Sequence, residues 1–241
     1  MPHATKFIPK QRAWDNSLLE TEALNINQIN PGEALGIIRP DLEAEYDANR
    51  LCERLVTAAE TEGVVFSPEF KACELLWRRD EFRHYQGFRR IWSLISGQLE
   101  TEVDGEMAAA ESDFSELQVF FGSEQGVSVL VVYDELTTVR SYREDLPMYR
   151  AMGSNFEEWF KLVISDEVFH YGNFLQVIRH NHRHKLSQAL EFLRLLIELD
   201  KKGAKYNRTF VLDRRANTFD SQSFIQACGE AVEAAIIMAC K

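Results

Sequence analysis

Apolar positions recur at three- and four-residue spacing along most of this chain, the period of a helix with one buried face. The segment from about 67 to 96 carries the stripe Phe70, Cys73, Trp77, Glu81, His84, Phe88, Ile91 and Ile95. A second stripe, within about 155–180, reads Phe160, Val163, Ile164, Glu167, His170, Phe174 and Ile178. A third, within about 124–142, reads Val127, Val131, Glu135, Thr138 and Tyr142. Its GVSVLVVY run alternates like a strand, but the pattern continues into DELTTVRSY at helical spacing, so it is read as helix. The segment 41–62 presents Ala44, Ala48, Cys52, Leu55 and Ala59, and two further helical patterns follow at about 186–200 and 220–239.

Boundary signals fit these segments. Asp41 follows Pro40 as a cap, and Gly63 stands at the stop of the first helix. Ser67-Pro68-Glu69 opens the second helix, where proline suits the first position. Glu157 and Glu158 open the fourth, and RHNHRHK closes it, each complementing the helix dipole. The prediction is an all-α bundle of four core helices with extra C-terminal helices. Residues 1–40 form an N-terminal arm with a short helix near Asn16 to Leu24, and residues 41–241 form the domain. The short link between the first two helices makes them antiparallel. The stretch between the second and third is long enough to cross over along the bundle, and REDLPMYRAMG joins the third to the fourth.

The stripes contain the wrong chemistry for a plain core. Two of them carry Glu-x-x-His, Glu81 with His84 and Glu167 with His170, and the third carries Glu135. On the first helix Glu45 lies closest to the apolar stripe, with Glu43, Asp47 and Glu53 as the alternatives. Burying several carboxylates without counter-charge costs many kcal/mol. Four carboxylates and two neutral imidazoles balance a pair of divalent cations, and an oxygen-rich, thiolate-free set suits iron or manganese. Dinuclear carboxylate bundles use this pattern, one Glu from each of two helices and Glu-x-x-His from each of the other two.

Composition narrows the rest. A formal charge of −11 argues against a nucleic-acid partner. Cys52, Cys73, Cys228 and Cys240 stand far apart with no C-x-x-C pair, the pattern of reduced thiols in a cytoplasmic protein. The first residues show no signal-peptide pattern and no uninterrupted apolar run of spanning length is seen, so no membrane is expected. A basic run, Arg179 to Lys185 with Lys201, Lys202 and Lys205 beyond it, offers a surface for an acidic partner or serves the helix end.

The motifs resemble those of the soluble acyl-carrier-protein fatty acid desaturases, within the ferritin-like di-iron carboxylate proteins. Trp77-x-x-Asp80-Glu81-x-Arg83-His84 is similar to that family's W-x-x-E-E-x-R-H. Asp166-Glu167-x-x-His170 is similar to its D-E-x-R-H, with Phe169 in place of the arginine, and Glu135-Leu-Thr-Thr138 to its E-x-x-T. The segment LDRRANTFDSQSF (212–224) is similar to the family's stretch after the bundle. The likeness covers roughly 41–225, while the region before it is unlike the family and the chain is shorter than the plant enzymes.

The resemblance implies a ferritin-like four-helix bundle holding two iron ions, or a manganese–iron pair. Glu45 and Glu135 would be terminal ligands, Glu81 and Glu167 would bridge, and His84 and His170 would supply the imidazoles. It further implies that Asp166 accepts a hydrogen bond from His84 and that Thr138 delivers protons during oxygen activation. The implied reaction is O2-dependent oxidation of an unactivated C–H bond, desaturating an acyl chain on acyl carrier protein. Electrons would come from a ferredoxin-type donor, and the expected assembly is a homodimer. The setting is cytoplasmic, or the plastid stroma if a transit peptide has been removed. Hydroxylation of another metabolite and a ferritin-like ferroxidase are the competing readings.

Overall fold

A computed structural model describes residues 7–202 and 222–241, and every described element is helical. Eight α-helices appear among them: α1 (Pro31–Thr61), α2 (Pro68–Ser96), α3 (Glu100–Ala109), α4 (Gln118–Phe121), α5 (Glu124–Met152), α6 (Ser154–Asn181), α7 (Leu186–Asp200) and α8 (Gln222–Cys240). The all-α expectation holds.

Two boundaries differ from the sequence reading, both at prolines. Helix α1 starts at Pro31, ten residues before the expected cap; it is capped instead by Asn30, whose side chain accepts from the backbone of Gly32 and Glu33, and Pro40 lies inside it. An interior proline costs about 3 kcal/mol. Extending the helix buries Ala34, Ile37 and Ile38, and each isoleucine contributes about 1.5–3 kcal/mol when fully buried. The same holds for α5, which runs through Pro147 to bury Tyr149 and Met152. REDLPMYRAMG is therefore helix almost to its end, and the link between α5 and α6 shrinks to Gly153, whose φ of 144° favours glycine.

The arm is correspondingly shorter than 1–40. Its described part holds a 3-10 helix at Asn16–Glu20, capped by Asp15, within the span expected to be helical. It is tied to the body by Lys10 N to Asn173 Oδ1 (2.8 Å), Trp159 Nε1 to Asn16 Oδ1 (2.7 Å) and Asn25 N to Met152 O (2.8 Å).

Helix α1 packs along α2 and α5 along α6, and α2 meets α6 between the pairs. At that crossing Gly87 lies so close to Trp159 that a Cβ would sit 2.1 Å from the indole ring. The backbone N–H of Ser67, at the start of α2, donates to Glu124, at the start of α5. The two helices thus begin at the same end, and residues 97–123, with α3 and α4 among them, connect the end of α2 to the start of α5. Arg50 of α1 anchors this connection, donating to Met107 O (2.8 Å) and Ser112 Oγ (3.0 Å).

Helices α7 and α8 pack on each other and on α5 and α6, burying Leu193, Leu196, Cys228, Val232 and Ile236. Among the described residues, Gln222–Cys240 is long and apolar enough by length and composition to cross a membrane, although Glu230 and Glu233 interrupt it. Most of LDRRANTFDSQSF, residues 212–221, lies outside the described residues, as do Lys205 and the expected start of the last helix at Asp220.

Candidate metal centre

Two apolar cores fill the long helices, one around Trp77, Val131 and Phe174 and the other around Phe88, Tyr142 and Phe160. The acids and imidazoles of the stripes lie at the level between them. Helical spacing puts each Glu-x-x-His pair on one face, and the packing of α2 against α6 turns those faces toward each other.

Donor atoms of Glu45, Glu81, His84 and Glu167 lie within 4.8 Å of one another, and so do those of Glu81, Glu135, Glu167 and His170. Glu81 and Glu167 belong to both sets. All six residues are buried, none more than 4 % exposed. Of the acids weighed on α1, only Glu45 joins them. Glu43 pairs with Arg39, Asp47 accepts from Ser112 Oγ (2.6 Å) beside Arg50, and Glu53 faces solvent.

The closest approaches gather around common points. His84 Nδ1 is 3.1 Å from Glu167 Oε1 and 3.4 Å from Glu45 Oε2, and His170 Nδ1 is 2.9 Å from Glu167 Oε2 and 3.0 Å from Glu81 Oε1. Yet Glu45 Oε2, Glu81 Oε1, His84 Nδ1 and Glu167 Oε1 are all buried without a hydrogen-bond partner. Buried polar atoms are rarely left so, and four orphans converging from three helices fit a site for a cation. Oxygen and imidazole donors with no thiolate suit iron or manganese. The cluster could therefore hold metal ions.

Electrostatics within the cluster agree. Burial opposes protonation of His84, but the charges of Glu167 and Glu45 overcome it and hold the imidazole well above its ordinary pKa. His170 is raised in the same way, burial being outweighed chiefly by Glu135 and Asp80. Burial, and then neighbouring carboxylates, push Glu81 and Glu135 well up. For Glu167 burial pushes upward too, but the two histidines prevail and hold it below the usual range.

Asp166 sits where the resemblance implied, its Oδ2 3.3 Å from His84 Nε2. The same oxygen accepts from Trp14 Nε1 (2.7 Å) and Arg83 Nη2 (2.6 Å). The sequence reading gives Asp80 no role, but Asp80 Oδ2 lies 3.3 Å from His170 Nε2 and its Oδ1 is 2.8 Å from Arg83 Nη2. Each aspartate thus serves the histidine of the other helix, and one arginine ties the two together while its guanidinium lies 4.2 Å from the Trp14 ring. The signal is present in the chain: Asp-Glu-x-x-His occurs in both α2 and α6. Such outer partners fix the tautomer and orientation of a ligating imidazole.

Thr138 is half-buried one turn beyond Glu135, and no hydrogen bond joins its hydroxyl to the cluster. Phe88, Val131, Phe160 and Phe174, on either side of the cluster, are packed as core, Phe160 against Tyr149 and Phe174 against Trp77. Of the basic run, Arg179, His180 and Arg183 line a surface cavity of about 660 Å³ with Lys241, while His182 turns inward to Glu124. No disulfide joins Cys52, Cys73, Cys228 and Cys240.

Comparison with protein-family models, with curated proteins and with solved structures finds no match for this chain.

Proposed function

We propose that the protein is a ferritin-like dinuclear carboxylate oxidase. The observation that carries this reading is the pair of four-residue donor sets that share Glu81 and Glu167. Glu45 and His84 would hold one ion, Glu135 and His170 the other, and the two shared carboxylates would bridge them. Two iron ions, or a manganese–iron pair, would supply the redox chemistry by which O2 oxidises a C–H bond.

The chain's own residues set the conditions. Two apolar cores exclude water from the centre. Asp80 and Asp166 hold the imidazoles with Nε2 outward, leaving Nδ1 toward the shared carboxylates. The hydrogen-bonded line from Trp14 through Asp166 to His84 connects the arm to the centre, and an external electron donor of ferredoxin type would couple there. The motif resemblance favours an acyl chain on a carrier protein as substrate, and a homodimer as the assembly. A second reading, a ferroxidase with no organic substrate, draws on the close packing of Phe88, Phe160 and Phe174 beside the centre.

Metal analysis after anaerobic loading with ferrous ion is expected to give about two irons per chain, lost in Glu135→Ala and His170→Ala. Zinc alone, or no metal, overturns the dinuclear reading. The ferrous protein is then exposed to O2 with a panel of acyl-carrier thioesters and electron donors and the products weighed. Loss of two hydrogens supports desaturation and gain of one oxygen supports hydroxylation. Ferrous oxidation with every thioester unchanged rejects the carrier substrate and favours the ferroxidase.

A further inference from the structure

The two oxygens of Glu45 are in different states. Oε1 accepts the hydroxyl of Tyr142 at 2.6 Å, the length of a charge-assisted O–H···O bond. Oε2 has no hydrogen-bond partner and faces His84 Nδ1 at 3.4 Å. Tyr142 is 4 % exposed, and its ring is held by Phe160 at 5.1 Å between centroids and by Phe88 at 5.9 Å. Burial first, and then the charges of Glu45 and Asp41, keep its hydroxyl protonated, so it acts as a donor.

Nothing equivalent serves the other end. Glu135 stands opposite Glu45 in the repeated arrangement, with His170 Nδ1 3.6 Å away, and no hydroxyl donates to it among the described residues. Tyr142 lies seven residues beyond Glu135 on α5. The residue seven beyond Glu45 on α1 is Cys52, buried and a weak donor.

Resting on the dinuclear reading, we propose that Tyr142 is a positioning residue that holds Glu45 to single-oxygen coordination and so makes the two metal positions unlike. With Oε1 engaged, Glu45 offers only Oε2, and the position between Glu45 and His84 keeps an open coordination face. Glu135 is free to bind through both oxygens and to fill its own position more completely. An incoming ligand therefore meets the Glu45–His84 position first.

The full chain and Tyr142→Phe are loaded anaerobically with iron-57 as ferrous ion, and metal content, Mössbauer spectrum and metal-free melting temperature are measured. The wild type is expected to show two ferrous quadrupole doublets of equal area. In the variant both irons remain and one doublet shifts, as Glu45 Oε1 is released to bind metal, while the other stays. Azide added to the wild type perturbs the doublet that responds to the substitution. A single doublet in the wild type, identical spectra in both proteins, or equal movement of both doublets overturns the inference while leaving the dinuclear reading intact. No iron in the wild type overturns both. Should Tyr142→Phe not fold, 3-fluorotyrosine at position 142 keeps the ring and strengthens the donor. The same single doublet should then move, and an unmoved spectrum overturns the inference.

Discussion

A buried imidazole has two nitrogens, and the fate of one decides what the other can do. At His84 and His170 the outward nitrogen faces an aspartate from the opposite helix, and Arg83 joins the two aspartates. Removing either negative charge while keeping its shape should loosen the ring and lower its basicity. Asp80→Asn and Asp166→Asn are each expected to weaken ferrous binding by about 10–100-fold, read by competition with a chromophoric chelator. Unchanged affinity in both would mean that these aspartates only balance Arg83. Six candidate ligands are legible in the sequence because a charge inside an apolar helical stripe is costly unless a counter-charge meets it there. Asp80 is legible only through the repeated Asp-Glu-x-x-His, because its contact crosses between helices and spacing along one helix does not record it. Cys73 poses the opposite case: burial pushes its thiol up to about 12, so at neutral pH it is inert. Alkylation of the native protein should spare Cys52 and Cys73, and rapid labelling of either would contradict their burial.

At the scale of elements, two long helices, α5 and α6, turn on one glycine. Gly153 has φ 144°, and a Cβ there would lie 2.9 Å from Asn155 Oδ1. Gly153→Ala is expected to cost about 1–3 kcal/mol, measured by urea denaturation of the metal-free protein. Helix periodicity identifies both partners of this hairpin. It misplaces the turn, because Pro147 is a strong local stop signal that the burial of Tyr149 and Met152 overrides. Glu124 fastens three elements at the same end of the molecule, accepting from Ser67 N, Asn181 Nδ2 (3.0 Å) and His182 Nε2 (2.9 Å). Burial pushes its carboxyl up, but the hydrogen bonds from His182, Ser67 and Asn181 outweigh that and hold it below its ordinary 4.5. A carboxylate with a depressed folded pKa contributes stability that is present above its unfolded value and disappears as pH falls through the folded one. Glu124→Gln should therefore be less stable than wild type at neutral pH, with the gap closing as acid is added. A gap that stays constant to low pH would show that charge plays no part in the joint.

For the whole molecule, a layer of acids across an oily interior is costly unless counter-charge meets it there. Within the cluster both histidines are raised above their ordinary pKa, and Glu81 and Glu135 are raised beside them, all directions that favour bound protons. Cations displacing those protons would bind the folded chain, where the six donors converge, in preference to the unfolded one. Ferrous ion at about one hundred times its dissociation constant should then add about 2.7 kcal/mol of stability for each site. The sign of the pH dependence follows from the same groups. Imidazoles with raised pKa values stay protonated as pH falls, ligation requires the neutral ring, and metal binding releases protons. The rise in melting temperature on anaerobic ferrous loading should be larger at about pH 8 than at about pH 6, where the histidines compete more strongly for their protons. Calorimetry of the same samples in buffers of unlike ionisation enthalpy should show protons leaving as metal enters. A metal-induced stabilisation that is flat with pH, or that takes up protons, would place the ions on exposed carboxylates of this acidic chain and leave the buried imidazoles out of the site.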